Sequence, residues 1–275
     1  MTIPTTDPRH ARAQALGLHG LIAHWDGLTE PDGTWITRLL DWEESERQRR
    51  GLERRLAAAR IGRFKPLADF DWDWLEHCDR EAVEDLMRLD FIDQATNAVL
   101  VGPVGTGKST VVRNLAYQAV LHGHTALFVT AGEMLIDLAA QETASALGRR
   151  LKRYLRPRVL VIDELGYLSY GTRHADLLFE VVSGRYENKP TLVTTNRPFA
   201  EWGELFPNAS CVVSLVDRLV HNAEILTFKG QSWRFKEAQE RAAKRAKERA
   251  ARRRARRKRT PPPDPRPNPG PGTDP

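Results

Sequence analysis

Gly102-Pro103-Val104-Gly105-Thr106-Gly107-Lys108-Ser109, followed by Thr110, decides the fold of this 275-residue chain. A glycine, four residues and then Gly-Lys-Ser form the pattern of a phosphate-binding loop. Asn97-Ala98-Val99-Leu100-Val101 reads as a short buried strand before it, and Val111 to His122 as a helix after it. Glycines let the backbone curl so that successive N–H groups converge on phosphate oxygens, and the helix N-terminus adds partial positive charge. Lys108 can reach the β- and γ-phosphates of ATP, and Ser109 can offer its hydroxyl to Mg²⁺. The nucleotide-binding set is therefore Gly102, Pro103, Val104, Gly105, Thr106, Gly107, Lys108, Ser109 and Thr110.

Outward from the loop, residues 95 to about 237 alternate apolar strands with helices. The strand candidates are Ala98–Val101, Ala126–Thr130, Val159–Ile162, Thr191–Thr195 and Ile225–Phe228. Helical stretches separate the first four, which predicts an α/β fold with a parallel central sheet. Val159-Leu160-Val161-Ile162 delivers Asp163 and Glu164 to the carboxyl end of the sheet, beside the loop. Asp163 is placed to hold Mg²⁺ and Glu164 to orient or deprotonate the attacking water. Acidic residues in this position also occur as plain turn residues. Asn196, ending the next strand, is a candidate for the γ-phosphate or the lytic water. Arg218 and Arg234 are candidates for transition-state charge, with surface ion pairs as the alternative.

Hydrophobic residues make up 41% of the chain, enough for a packed core. Cys78 and Cys211 form no disulfide framework and lack metal-ligand spacing, so a reducing cytoplasm is expected. Neither a signal peptide nor an apolar run approaching the ~20 residues of a membrane span is visible. The net charge is +6, yet residues 241–259 alone carry 12 Lys/Arg against Glu248. Residues 1–240 are mildly acidic, so any nucleic-acid argument must name local patches.

Four regions follow from composition. Residues 1–65 read as an N-terminal helical DNA- or partner-binding region, ending in a charged helix from Glu43 to Arg60. Residues 66–237 form the ATPase domain, opening with the Trp/Asp-rich link Phe70-Asp71-Trp72-Asp73-Trp74. Residues 238–259 are a basic Ala/Arg helix, and residues 260–275 a Pro-rich tail expected to be disordered. Arg47, Arg49, Arg50, Arg54, Arg55, Arg60, Arg63 and Lys65 cluster in the N-terminal helix and its exit. Arg47, Arg50 and Arg54 share a face and could neutralise phosphates of double-stranded DNA. A solvated helix, with Glu43, Glu44, Glu46 and Glu53 pairing these arginines, is the alternative.

The blocks Val161-Ile162-Asp163-Glu164-Leu165-Gly166-Tyr167-Leu168, Arg185-Tyr186-Glu187 and Thr195-Asn196-Arg197-Pro198-Phe199-Ala200-Glu201-Trp202 resemble the IstB family of transposition helper ATPases. So do Asp217-Arg218-Leu219-Val220-His221 and Gly230-Gln231-Ser232-Trp233-Arg234. The family consists of AAA+ P-loop ATPases related to DnaC-type helicase loaders, and the resemblance spans about residues 12 to 237. It implies that Arg218 is an arginine finger acting on the ATP of an adjacent subunit, that Arg234 and Asn196 are sensors, and that the Phe70–Trp72 link flanks the adenine. It further implies an ATP- and DNA-dependent homo-oligomer on duplex target DNA, with a transposase as partner. A helicase loader and a non-hydrolysing regulatory module are the competing functions. Trp233 stands where tyrosine is usual, Asn222 where a second histidine is common, and Ser169-Tyr170 in place of a Leu-Pro run.

Overall fold

The computed structural model describes residues 3–167, 171–206 and 210–259, with side chains to Arg252. Leu168, Ser169, Tyr170 and the Pro-rich tail lie outside the described residues. In chain order the elements are helices α1 (Pro8–Ala15), α2 (His19–Ala23), α3 (Glu30–Ala59), α4 (Arg80–Leu86) and α5 (Asp90–Asp93). Next come β1 (Asn97–Val101), α6 (Lys108–Leu121), β2 (Ala126–Thr130), α7 (Ala131–Ala139), α8 (Ala144–Leu155), β3 (Val159–Leu165) and α9 (Thr172–Arg185). The chain then runs through β4 (Thr191–Thr195), α10 (Trp202–Leu205), α11 (Val212–Val220), β5 (Ala223–Thr227) and α12 (Trp233–Arg259).

All five strands pair in parallel, in the order β2-β3-β4-β1-β5. Strand side chains alternate between two apolar clusters, as a sheet covered on both faces demands. Val99, Leu127, Val129, Leu160, Ile162 and Val193 pack with residues of α7, α9, α10 and α11. Ala98, Leu100, Phe128, Val161, Leu192 and Leu226 face α6 and the helices before β1. The expected parallel sheet is thus present. The bounds of two strands move: β3 continues to Leu165, and β5 begins at Ala223 and ends at Thr227.

The charged helix from Glu43 to Arg60 is the second half of a longer one. α3 runs unbroken for 30 residues. Thr29 and Asp32 cap it reciprocally, and Arg60 ends it with a left-handed φ of 54°. Ile36 and Leu40 bury against Ala13, Leu16 and Trp25 in a small N-terminal cluster. Leu52, Leu56 and Ala59 join the core beneath the sheet. The polar middle of α3 therefore bridges two apolar anchors.

Arg185, at the end of α9, is 1% exposed and has no carboxylate partner among the described residues. Its guanidinium donates to the carbonyls of Tyr154 (3.0 Å), Pro157 (2.9 Å), Arg158 (3.1 Å) and Pro190 (2.6 Å) and to Thr191 Oγ1 (3.0 Å). One side chain thus ties the end of α8 to the starts of β3 and β4, the strands that carry Asp163 and Asn196 to the opposite edge.

Candidate functional site: a phosphate-loop cleft

β1 sits between β4 and β5, and the loop it feeds opens onto a cleft. Gly105 through Lys108, Ser109 and Thr110 form one wall. Gly105 and Gly107 have φ of +83° and +93°, a region that disfavours a Cβ. Space imposes the same choice. A Cβ on Gly107 would lie 2.3 Å from the Phe70 ring, and one on Gly105 would lie 2.2 Å from Ser232 Oγ.

Gly107 caps α6 with no side-chain acceptor, so the first N–H groups of that helix point into the loop. Lys108 is 6% exposed and donates to the carbonyls of Gly102 (2.6 Å) and Pro103 (2.7 Å). Burial pushes its ammonium down to about 8, against the opposing pull of Asp163. A buried cation held only by carbonyl oxygens has a stronger partner in a phosphate.

Asp163 and Glu164 owe their placement to a bulge. Ile162 pairs with Val193 and Leu165 with Thr195, so β3 spends one extra residue where β4 spends none. Glu164 takes up the irregularity with φ of 62°, a strained value for a non-glycine residue. Its N–H donates to Thr194 Oγ1 (2.9 Å), while the Thr194 hydroxyl donates to Asp163 Oδ1 (2.5 Å). Ser109 Oγ also donates to Asp163 Oδ1, at 2.9 Å. Thr194, which the sequence reading passed over, therefore anchors both acids. Its signal in the sequence is a hydroxyl inside a strand buried throughout its length.

Ser109 and Asp163 together suit a Mg²⁺ shared with phosphate oxygens. Among the described residues no group of three or more His, Cys, Asp or Glu could hold a metal without such help. A two-ligand oxygen set matches magnesium's habit of binding through few protein groups plus substrate phosphates.

The outer wall of the cleft comes from the link and from the start of α12. Phe70, Asp71, Trp74, Leu75, Trp233 and Arg234 line it. Trp74 Nε1 donates to the Gln231 carbonyl (2.9 Å), and Trp233 N donates to the Gly105 carbonyl (3.0 Å). The Trp74 and Trp233 rings meet edge-on at 5.8 Å. Trp72 turns away, packing on Phe70 at 4.6 Å and beneath Arg80. Of the expected adenine-flanking segment, Phe70 lines the cleft and Trp72 does not.

Glu164, Lys108, Ser109 and Arg234 thus share the cleft. Asn196 stands on the other side of the loop, in a neighbouring depression with Gly102, Pro103 and Val104. Its buried Oδ1 lacks a hydrogen-bond partner among the described residues, an unfilled acceptor next to the loop. Arg218 lies outside both depressions. It donates to Ser183 Oγ and lies over the rings of Phe179 (4.7 Å) and Tyr186 (5.9 Å).

On α3, Arg47 donates to the carbonyls of Ala15 and Leu16, at the end of α1. Arg49 pairs with Glu46 and Glu53, and Arg50 with Glu46. Arg55 donates to the Val120 carbonyl, and Lys65 to Glu237 (2.8 Å). Arg54, Arg60 and Arg63 are exposed.

A parallel sheet in which β1, next to the edge strand β5, feeds a phosphate loop, with the acids two strands away on β3, defines a P-loop nucleotide-binding protein. The fold is similar to that of DnaI, with a TM-score of 0.51 and 20% identity over 62% of this chain and 91% of that one. Residues 11–241 match the family described as IstB-like ATP binding protein, and the chain belongs to it. An ATP-binding protein of insertion sequence IS21 from Pseudomonas aeruginosa is 35% identical over 206 residues, 75% of this chain and 78% of the relative. Its counterpart in IS5376 from Geobacillus stearothermophilus is 29% identical over 242 residues, 86% and 96% of the two chains. No helix among the described residues is long and apolar enough to cross a membrane.

Proposed function

We propose that this protein hydrolyses ATP and assembles through it on duplex target DNA, where it recruits and stimulates the transposase of an insertion sequence. The observation that carries the ATPase reading is the linkage of Ser109 and Thr194 to one Asp163 oxygen, with Glu164 bonded to the same threonine. In this reading Lys108 exchanges its two carbonyls for the β- and γ-phosphates. Ser109 and Asp163 hold Mg²⁺, which would draw charge from the phosphate oxygens. Glu164 orients the attacking water, and the unfilled Asn196 oxygen accepts a hydrogen bond from it.

Arg218 sits away from the cleft of its own subunit, as a residue serving a neighbour's site must. Such an arginine is worth ~10³–10⁵ in rate. Partnership with a transposase is carried over from the relatives, whose names place them in insertion sequences. For DNA, Arg47, Arg54, Arg60 and Arg63 are exposed cations of the N-terminal stripe that hold no carboxylate among the described residues.

Steady-state ATP hydrolysis with and without duplex DNA tests the reading. Glu164→Gln should keep nucleotide affinity, lower turnover by about 10²–10⁴-fold, and accumulate ATP-bound complexes on duplex. Wild-type turnover in that variant overturns the role of Glu164. Assembly on single strands but not on duplex overturns the transposition reading in favour of a helicase loader.

A further inference from the structure

α12 is one helix of 27 residues, and its two ends do different things. The first turn is wedged into the nucleotide cleft. Trp233 and Arg234 line the cleft, and Ser232, just before them, rests on Gly105. Lys236 lies over the Trp74 and Trp233 rings at 4.2 and 4.5 Å. Glu237 accepts from Lys65 (2.8 Å), Trp233 Nε1 (2.9 Å) and Arg241 (3.1 Å).

Beyond that clasp the helix leaves the body. Every residue from Ala238 to Arg252 is exposed. Between Ala238 and Arg259 no apolar side chain exceeds alanine, so this stretch has no face that burial against a protein groove would reward. Residues 241–259 carry 12 Lys/Arg and one acid. On α3, Glu46 and Glu53 neutralise Arg49 and Arg50. On α12, by contrast, Lys244, Arg245, Lys247, Arg249 and Arg252 make no ion pair among the described residues. At 1.5 Å per residue the helix from Ala238 to Arg259 extends about 33 Å, close to one turn of duplex. Unpaired cations repel each other along such a rod, and phosphates relieve that repulsion.

We propose that α12 is an arm that binds the phosphate backbone of duplex DNA, rigidly joined through its first turn to the phosphate loop, so that DNA and nucleotide change each other's affinity. The inference rests on the nucleotide and duplex reading above, and adds a contact outside the matched residues 11–241. Helix continuity is what couples the sites. Any shift of Gly105 around phosphates moves Ser232 and Trp233, and with them the whole rod. By thermodynamic reciprocity, DNA held on the rod biases the loop to the same degree.

Three proteins test it: the full chain, a chain ending at Glu240, and Ala242→Pro. The proline keeps every charge but breaks the helix beyond the clasp. Thermal melting confirms that the body of each variant is folded. Duplex affinity is measured against salt, and the affinity of a fluorescent ATP analogue with and without a 12-base-pair duplex.

With about five phosphate contacts on the arm, truncation should flatten the log–log salt slope by about 4.5. That corresponds to a loss between 50 and 200 mM salt about 500-fold smaller than in the full chain. Duplex should change analogue affinity by at least about fivefold in the full chain. Ala242→Pro should retain most of the salt slope and lose the nucleotide effect. Equal slopes in full and truncated chains overturn the arm, leaving the basic stretch to an acidic protein or another polyanion. Equal nucleotide effects in the full chain and Ala242→Pro overturn the coupling. The parent reading fails separately, if the full and truncated chains both lack ATP-dependent complexes on duplex.

Discussion

Replacing Arg185 by methionine removes the cation that holds α8, β3 and β4 together while keeping a side chain of similar length. Five carbonyls, that of Leu155 included, and the Thr191 hydroxyl lose a charged donor at once. An interior acceptor left unsatisfied costs about 1–3 kcal/mol. Water can reach the Pro157 and Arg158 carbonyls, which are partly exposed, whereas the bonds to Tyr154, Pro190 and Thr191 are buried. Removing the desolvated guanidinium offsets part of the loss. The balance resembles the breaking of a buried ion pair from one side, about 3–5 kcal/mol. For a urea slope near 3 kcal/mol/M, a 4 kcal/mol loss lowers the unfolding midpoint by about 1.3 M. Arg185→Lys keeps the charge with three donors in place of five and should lose about half as much. Arg173→Met serves as the control, because that arginine makes one exposed bond to the Gln141 carbonyl; it should cost under about 0.5 kcal/mol. Urea titration followed by circular dichroism gives all three values. A loss under about 1 kcal/mol for Arg185→Met would show that the carbonyls find other donors and would refute the reasoning.

Arg218→Ala should retain ATP binding and lose hydrolysis, and mixing it with a Lys108→Ala subunit should partly restore turnover; no rescue in co-assembled mixtures removes the trans assignment. Cys78 should react slowly with iodoacetamide in the folded protein, because burial pushes its thiol up from 9.0 to about 11. At pH 8 its thiolate is about 100-fold scarcer than that of an unperturbed cysteine, and the rate should rise about tenfold per pH unit up to pH 10. Mass spectrometry of the labelled peptide, folded and in urea, checks this; equal rates in the two states count against it.

Much of the site was legible because its chemistry is local. The phosphate loop needs glycines at fixed offsets, and Ala98–Val101 and Val159–Ile162 are apolar runs too short for helices. What escaped the sequence reading is set by distant partners. Nothing around Glu164 encodes a left-handed backbone; Thr194, thirty residues on, accepts its N–H and so stabilises the bulge. The choice of Trp74 over Trp72 as a cleft residue depends on the Gln231 carbonyl far along the chain. The continuity of α3 was hidden because a charged middle section reads as a boundary when both apolar anchors are unseen. Arg185 stood out in the sequence only within a family-like block, since six acceptors spread between Tyr154 and Thr191 leave no pattern near it. The basic helix was legible from its alanine and arginine content, but its clasp on the loop was not.

The position of β1 also dictates when the nucleotide loop can exist during synthesis. Its two neighbours in the sheet are β4 and β5, which begin at Thr191 and Ala223. The ribosome has therefore made the loop roughly 90 residues before either flank of its strand is available, a delay of about 5–20 s at ordinary translation rates. Through that interval Ala98, Val99 and Leu100 form an unpaired apolar strand, and α6 has no completed sheet to lie on. The oldest-looking part of the site in sequence order is thus among the last to become rigid, and nascent chains stalled before residue 191 should be substrates for chaperones rather than binders of ATP.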